Sequence, residues 1–250
     1  MTIRGIIFDL GSTLMYFDGD WEDVIGQGVA DMIAFFKRKR VKLDERALAE
    51  TFIVERQKGR EVAYRTQREV TCADSLEAAL ENIDAPPEAF RLMDEAVRVY
   101  FGPEEAAWKA YSDAKPTLKQ LSQQGYRLGL LSNATDDPFI QRLVNRLELR
   151  PWLSPTFSSA GLGCRKPASE PFQLILARWN LAPEAVVMVG DTLNADISGA
   201  HNAGMRGVLI TVEESPWNKE HLETISPDGS VALLSELPAL IRTWQDKRVV

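Results

Sequence analysis

The chain has 250 residues, 45% of them apolar: enough core for one large domain or a domain carrying a sizeable insertion, and too much for a disordered chain. Its 36 acidic and 29 basic residues leave a net charge of −7, which argues against nucleic acid or an anionic membrane as the main partner. No apolar run approaches a membrane span. The start Met-Thr-Ile-Arg-Gly-Ile-Ile-Phe-Asp is charged too early for a signal peptide, so a cytoplasmic location is expected. Cys72 and Cys164 have no metal-ligand spacing, and neither a disulfide framework nor a zinc site is expected.

Residues 3–9 form a short apolar run ending in Asp9, the pattern of a buried parallel strand, and Gly11, Ser12 and Thr13 break it. From Trp21 the period turns helical, with Ile25, Val29, Met32, Ile33 and Phe36 on one face. Further helices are expected over 43–57 and 75–82, and a fourth is opened by Pro87, with Phe90, Met93, Val97, Tyr100 and Phe101 along one face. No strand interrupts this stretch. A helical block of roughly ninety residues between the first strand and the next reads as an inserted cap domain, large enough to bury its own small core.

After Lys115-Pro116 the βα alternation resumes. Helices are expected over 117–124, 137–147, 171–179 and 196–203 and from Leu237, and strands over 126–132, 156–159, 186–190, 207–211 and 231–234, with 213–229 mostly loop. The expected fold is α/β: a Rossmann-like, doubly wound parallel sheet in a core of residues 1–16 and 113–250, with an all-helical cap over 17–112.

Three apolar strands end in polar groups: Asp9, then Ser132-Asn133, then Gly190-Asp191 with Asp196 five residues on; Lys166-Pro167 falls between the second and third. The carboxyl ends of parallel strands share one rim, so these groups can converge there. A carboxylate at a strand tip can attack phosphorus. Hard divalent ions take carboxylate oxygens. Ser132 and Asn133 offer a hydroxyl and an amide to a phosphoryl oxygen, and a lysine can offset charge that develops in transfer. Each group also has an ordinary reading: turn residue, helix cap or solvated surface charge.

The four pieces, in this order and over nearly the whole chain, resemble the haloacid dehalogenase superfamily, most of whose members are magnesium-dependent phosphohydrolases. The resemblance implies Asp9 as nucleophile, Mg2+ held by Asp9, the Gly11 carbonyl and Asp191, and Ser132 and Lys166 holding the phosphoryl group. It also implies Asp196 as a ligand through water or as an orienting acceptor; the residue alone also reads as a helix N-cap. A small phosphorylated metabolite is the implied substrate, with no nucleic-acid or membrane partner; a monomer or homodimer is open. The sequence departs from the pattern at one point: Gly11 and Ser12 stand where phosphatases carry an acid/base aspartate and a glycine. Asp18 and Asp20 are near enough to be considered as substitutes, though a Gly-containing turn accounts for them. Without that acid, turnover should favour good leaving groups such as acyl or aryl phosphates. Two other readings stay open: a catalytically weak binding protein, and a phosphonatase- or dehalogenase-type hydrolase. Dehalogenases carry a serine-rich segment rather than Gly190-Asp191, and a phosphonatase needs a cap lysine, for which Lys37, Lys39, Lys42 and Lys58 are available.

Overall fold

The computed structural model describes residues 2–246. The first apolar run forms β1 (Gly5–Phe8), followed by β2 (Met15–Phe17). The inserted block contains α1 (Trp21–Arg38), α2 (Glu45–Thr66), α3 (Cys72–Asn82), α4 (Pro87–Arg91), α5 (Met93–Tyr100) and α6 (Gly102–Ala107), and closes on β3 (Trp108–Ala110). Asp20 caps α1 by accepting the Glu22 and Asp23 amides at 2.8 and 3.1 Å, so it is occupied as a turn-and-cap residue. Thr71 and Asp74 form a reciprocal capping box at α3. Two expectations change here. The single helix after Pro87 is three short ones, with a break where Pro103 can donate no amide and the same apolar face kept. The strand-free insertion is framed by β2 and β3, paired antiparallel with Phe17 opposite Trp108; three residues a side carry too little period to be read from sequence.

The core continues through α7 (Ala114–Gln123), β4 (Arg127–Ser132), α8 (Asp137–Arg146), β5 (Thr156–Ser158), α9 (Ser159–Leu162), α10 (Glu170–Trp179) and β6 (Val186–Gly190). A π-helical turn over Leu193–Ser198 then leads to α11 (Gly199–Asn202), β7 (Arg206–Ile210), β8 (Gly229–Val231) and α12 (Leu237–Asp246). Residues 247–250, read from sequence as part of the core, lie outside the described residues. The six main strands run parallel in the order β5-β4-β1-β6-β7-β8.

Alternation along β1 sets the layers. Ile6 and Phe8 face the cluster that holds Leu118 and Leu121 of α7, Leu143 of α8 and Ile241 of α12, while Ile7 faces Phe172, Ile175 and Trp179 of α10. Both faces are buried, as a parallel sheet requires. The cap has no separate interior: Met32, Phe52, Leu76 and Val97 belong to the same apolar cluster as Ile6 and Phe8, and Phe101 stacks on Phe139 with ring centroids 4.5 Å apart. That continuity seats the cap above the carboxyl ends of the strands.

Candidate active site

β4, β1 and β6 are neighbours in the sheet, so the residues at their carboxyl ends emerge side by side. Asp9 follows the last residue of β1, and its amide donates to the Val189 carbonyl at 2.9 Å, extending the ladder one step. Ser132 is the buried last residue of β4, and Asp191 is the half-buried first residue after β6. Lys166 is brought in from the loop before α10. It is 3% exposed, and its Nζ donates to Asp9 Oδ1 and to Asp196 Oδ1, each at 2.6 Å. The alternative of a solvated surface charge does not hold for Lys166: its ammonium is a buried tie between two carboxylates.

Asn133 has a structural task that the sequence did not signal. Its Nδ2 donates to the Lys166 carbonyl and its Oδ1 accepts the Lys166 amide, both at 2.9 Å, so both ends of its side chain hold the lysine backbone. Asp196 is not the N-cap of the helix after it. It lies inside the π-helical turn, 1% exposed, and its Oδ2 accepts the Thr192 amide at 3.0 Å. One carboxylate therefore shapes the Asp191 loop and grips Lys166. A π turn beside a site is a common functional device.

Gly190 permits this packing. A Cβ there would lie 2.2 Å from Asp196 Cγ and 2.3 Å from Oδ2, closer than any atom pair tolerates. Gly190→Ala should therefore expel the Asp196 carboxylate from its place, lower stability by about 3 kcal/mol, and loosen Lys166. Thermal unfolding checks this, and an unchanged Tm would count against the packing.

Burial is the chief force on the carboxyls. It raises Asp9 to about 6, with Lys166 pulling down and Asp196 pushing up. Burial raises Asp191 to about 8, helped by the charges of Asp196 and Asp9. For Lys166, burial favours the neutral amine, but the Asp196 and Asp9 carboxylates outweigh it and hold the ammonium above the ordinary lysine value. Three carboxyls against one ammonium leave surplus negative charge at the strand tips.

Around Gly11 the structure adds residues that no spacing in the sequence signalled. A Cβ at position 11 would sit 3.3 Å from Cη2 of Trp108, so a side chain there would press on the edge of an indole. Trp108 is 8% exposed, edge-on to Phe17 and Trp21, and donates Nε1 to Glu104 at 3.3 Å. Glu213 accepts hydrogen bonds from the Tyr111 hydroxyl at 2.5 Å and from Ser12 Oγ at 3.4 Å. Asn218 steadies the Asp191 loop: Nδ2 donates to the Asp191 carbonyl at 2.8 Å and Oδ1 accepts the Leu193 amide at 2.7 Å. It lies in the segment read as loop, in the 3-10 turn Pro216–Asn218. Among the cap lysines, Lys37, Lys39 and Lys58 are exposed and paired with Glu45, Glu95 and Glu55.

A doubly wound sheet with a helical cap thus brings three strand-tip polar residues and a buried lysine to one rim. The chain matches the haloacid dehalogenase-like hydrolase model over residues 3–204, and it belongs to that family. A glyceraldehyde 3-phosphate phosphatase of Methanothermobacter thermautotrophicus is 33% identical over 126 residues, 50% of this chain and 55% of that protein. A phosphoglycolate phosphatase of Shigella dysenteriae serotype 1 is 28% identical over 221 residues, 84% of this chain and 81% of that protein. The chain spans little more than half the length of the curated relatives it first matches. Among solved structures, a 2-haloacid dehalogenase from Pseudomonas syringae pv. Tomato DC3000 aligns with a TM-score of 0.71 and 26% identity, over 97% of this chain and 100% of that one. No described helix is long and apolar enough to cross a membrane.

Proposed function

We propose that the chain is a magnesium-dependent phosphohydrolase for a small phosphorylated metabolite, working through an aspartyl phosphate on Asp9. The observation that carries this reading is the buried Lys166 ammonium bound to both Asp9 and Asp196, beside Asp191, whose carboxyl burial raises. The phosphatase relatives support it. An oxygen of Asp9 attacks phosphorus, the bond from phosphorus to the leaving oxygen breaks, and water then releases phosphate from Asp9. Lys166 and the Ser132 hydroxyl hold the phosphoryl oxygens; Asp196 keeps Lys166 and the Asp191 loop in place.

The donor set suits magnesium. Among the described residues, no three His, Cys, Asp or Glu side chains gather as a ligand cluster. The protein would offer Asp9, Asp191 and the Gly11 carbonyl, leaving other positions to water and substrate, as this ion prefers. Bound there, it would neutralise charge on the transferring phosphoryl group. At pH 7, Asp191, raised to about 8, holds its proton, while Asp9, raised to about 6, has mostly lost its own. Binding of Mg2+ should therefore release about one proton and weaken as pH falls from 8 to 6. Calorimetry at pH 7 in two buffers of different ionisation heat checks this; no proton release would remove Asp191 from the donor set.

A second reading has its own support. Gly11 is not an aspartate, and the dehalogenase structure aligns over nearly the whole chain. Dehalogenation would not need the Asp191 loop that Asn218 and Asp196 hold so firmly. One panel separates the two readings: aryl, acyl, sugar and nucleotide phosphates together with 2-chloropropionate, with Mg2+ and with chelator. Phosphate release that requires Mg2+ and is fastest from aryl and acyl phosphates is expected, because Gly11 cannot protonate a poor leaving group. Chloride release that persists in chelator would establish the dehalogenase, and neither product would favour a binding protein.

A further inference from the structure

One cap carboxylate is wired into the loop that follows Ser132 and the loop that carries Lys166. Glu69 lies in the turn between α2 and α3, and its side chain is 1% exposed. Its Oε2 accepts the Ser159 hydroxyl at 2.5 Å. Ser159 Oγ in turn accepts the Ala134 amide at 2.8 Å, two residues past Ser132. The other Glu69 oxygen, Oε1, lies 3.5 Å from Nη1 of Arg165, the residue before Lys166. The backbone repeats the connection. The Glu69 amide donates to Gly163 at 3.2 Å, the Arg165 amide to Gln67 at 3.1 Å, and the Cys72 amide to Thr135 at 2.8 Å, with Arg68 and Cys164 forming an antiparallel bridge. The cap turn over 67–72 is thus wedged between the loop after β4 and the loop that carries Lys166. Tyr64, one turn back on α2, lies under the Arg165 guanidinium at 5.4 Å and meets Trp217, the neighbour of Asn218, at 6.3 Å.

Burying a carboxylate is costly unless charged or hydroxyl donors compensate, and here both donors come from the core. The compensation exists only while the cap is seated. We infer that Glu69 is a positioning residue: through Ser159 and Arg165 the seated cap holds Ser132 and Lys166 in the geometry that receives a phosphoryl group. The inference rests on the phosphohydrolase reading for its chemistry, and on the hydrogen bonds alone for its geometry. Since Asn133 also clamps the Lys166 backbone, a loosened Glu69 contact would be felt in both loops at once.

The test compares wild type, Glu69→Gln, Glu69→Ala and Ser159→Ala by hydrogen–deuterium exchange over 132–135 and 163–167, and by inhibition of phosphate release by orthovanadate. In Glu69→Ala, exchange in both loops should rise at least tenfold with the main sheet unchanged. Its kcat should fall 10- to 100-fold, and vanadate should bind about tenfold more weakly. Glu69→Gln, whose amide oxygen still accepts from Ser159, should recover most of these losses. Unchanged exchange in both loops, or a Gln variant no better than Ala, overturns the inference. Should Glu69→Ala fail to fold, Ser159→Ala reads the same link, and unchanged exchange over 132–135 there overturns it. Exchange is independent of turnover, so a wild type that releases no phosphate would sink the phosphohydrolase reading while the loops still report on Glu69.

Discussion

Asp9→Asn should reduce magnesium-dependent phosphate release by about 10⁴-fold or more, the scale seen when a covalent nucleophile is removed. The amide keeps the size of the carboxyl but loses the negative charge that makes its oxygen nucleophilic toward phosphorus. It also removes one of the two anions that Lys166 binds; Asp196 remains at 2.6 Å to hold the ammonium. The fold should survive, because Asp9 is a buried carboxyl whose ionisation burial already opposes. The pair of observations to seek is therefore a silent variant with a Tm close to wild type. Steady-state phosphate release alongside thermal unfolding supplies both, and residual turnover above about one per cent would remove Asp9 as nucleophile.

How much of this was legible in the sequence follows from what each residue type reports. Asp9, Ser132 and Asp191 end apolar runs, and parallel strands give such ends a shared rim; burial periodicity alone therefore placed β1, β4 and β6, and the sheet order put them side by side. Lys166 was found only by its order between the second and third strand motifs. Nothing in its neighbours announced that it would be 3% exposed, because that burial depends on Asp196, thirty residues on. Asn133 shows a second kind of gap. Its side chain satisfies the backbone of a distant loop, a demand no local pattern records. Trp108, Asn218 and Glu69 escaped for the same reason: each acts across the chain, on Gly11, on Asp191 and on the loops before Lys166 and after Ser132. The short β2–β3 pair was missed because three-residue strands lie below any usable period. At Gly11 the absence of a side chain is visible without a fold; the structure added that the edge of the Trp108 indole stands 3.3 Å from where a Cβ would lie.

Lys166→Met should have the largest effect on stability. Removing one partner of a buried ion pair strands the others, at a cost of about 3–5 kcal/mol. Here Asp9 and Asp196 lose the cation they share, and a drop in Tm of roughly 10 °C is expected for a chain of this length. The pH dependence identifies the cause. In wild type the raised lysine value means that its contribution is complete below the unfolded lysine value near 10.4, and so is constant across pH 5–8. In the variant, Asp9 is left with burial and the Asp196 charge, both of which push it upward from a folded value already about 6. A carboxyl whose folded value lies above its unfolded one destabilises the fold once ionised and ceases to do so as pH falls below the folded value. The gap in Tm between wild type and Lys166→Met should therefore widen from pH 5 to pH 8, and lowering the pH should partly rescue the variant. A gap that stays constant over this range would mean that the substituted side chain fails by shape rather than by charge, and the electrostatic account of the Asp9–Lys166–Asp196 triad would fall with it.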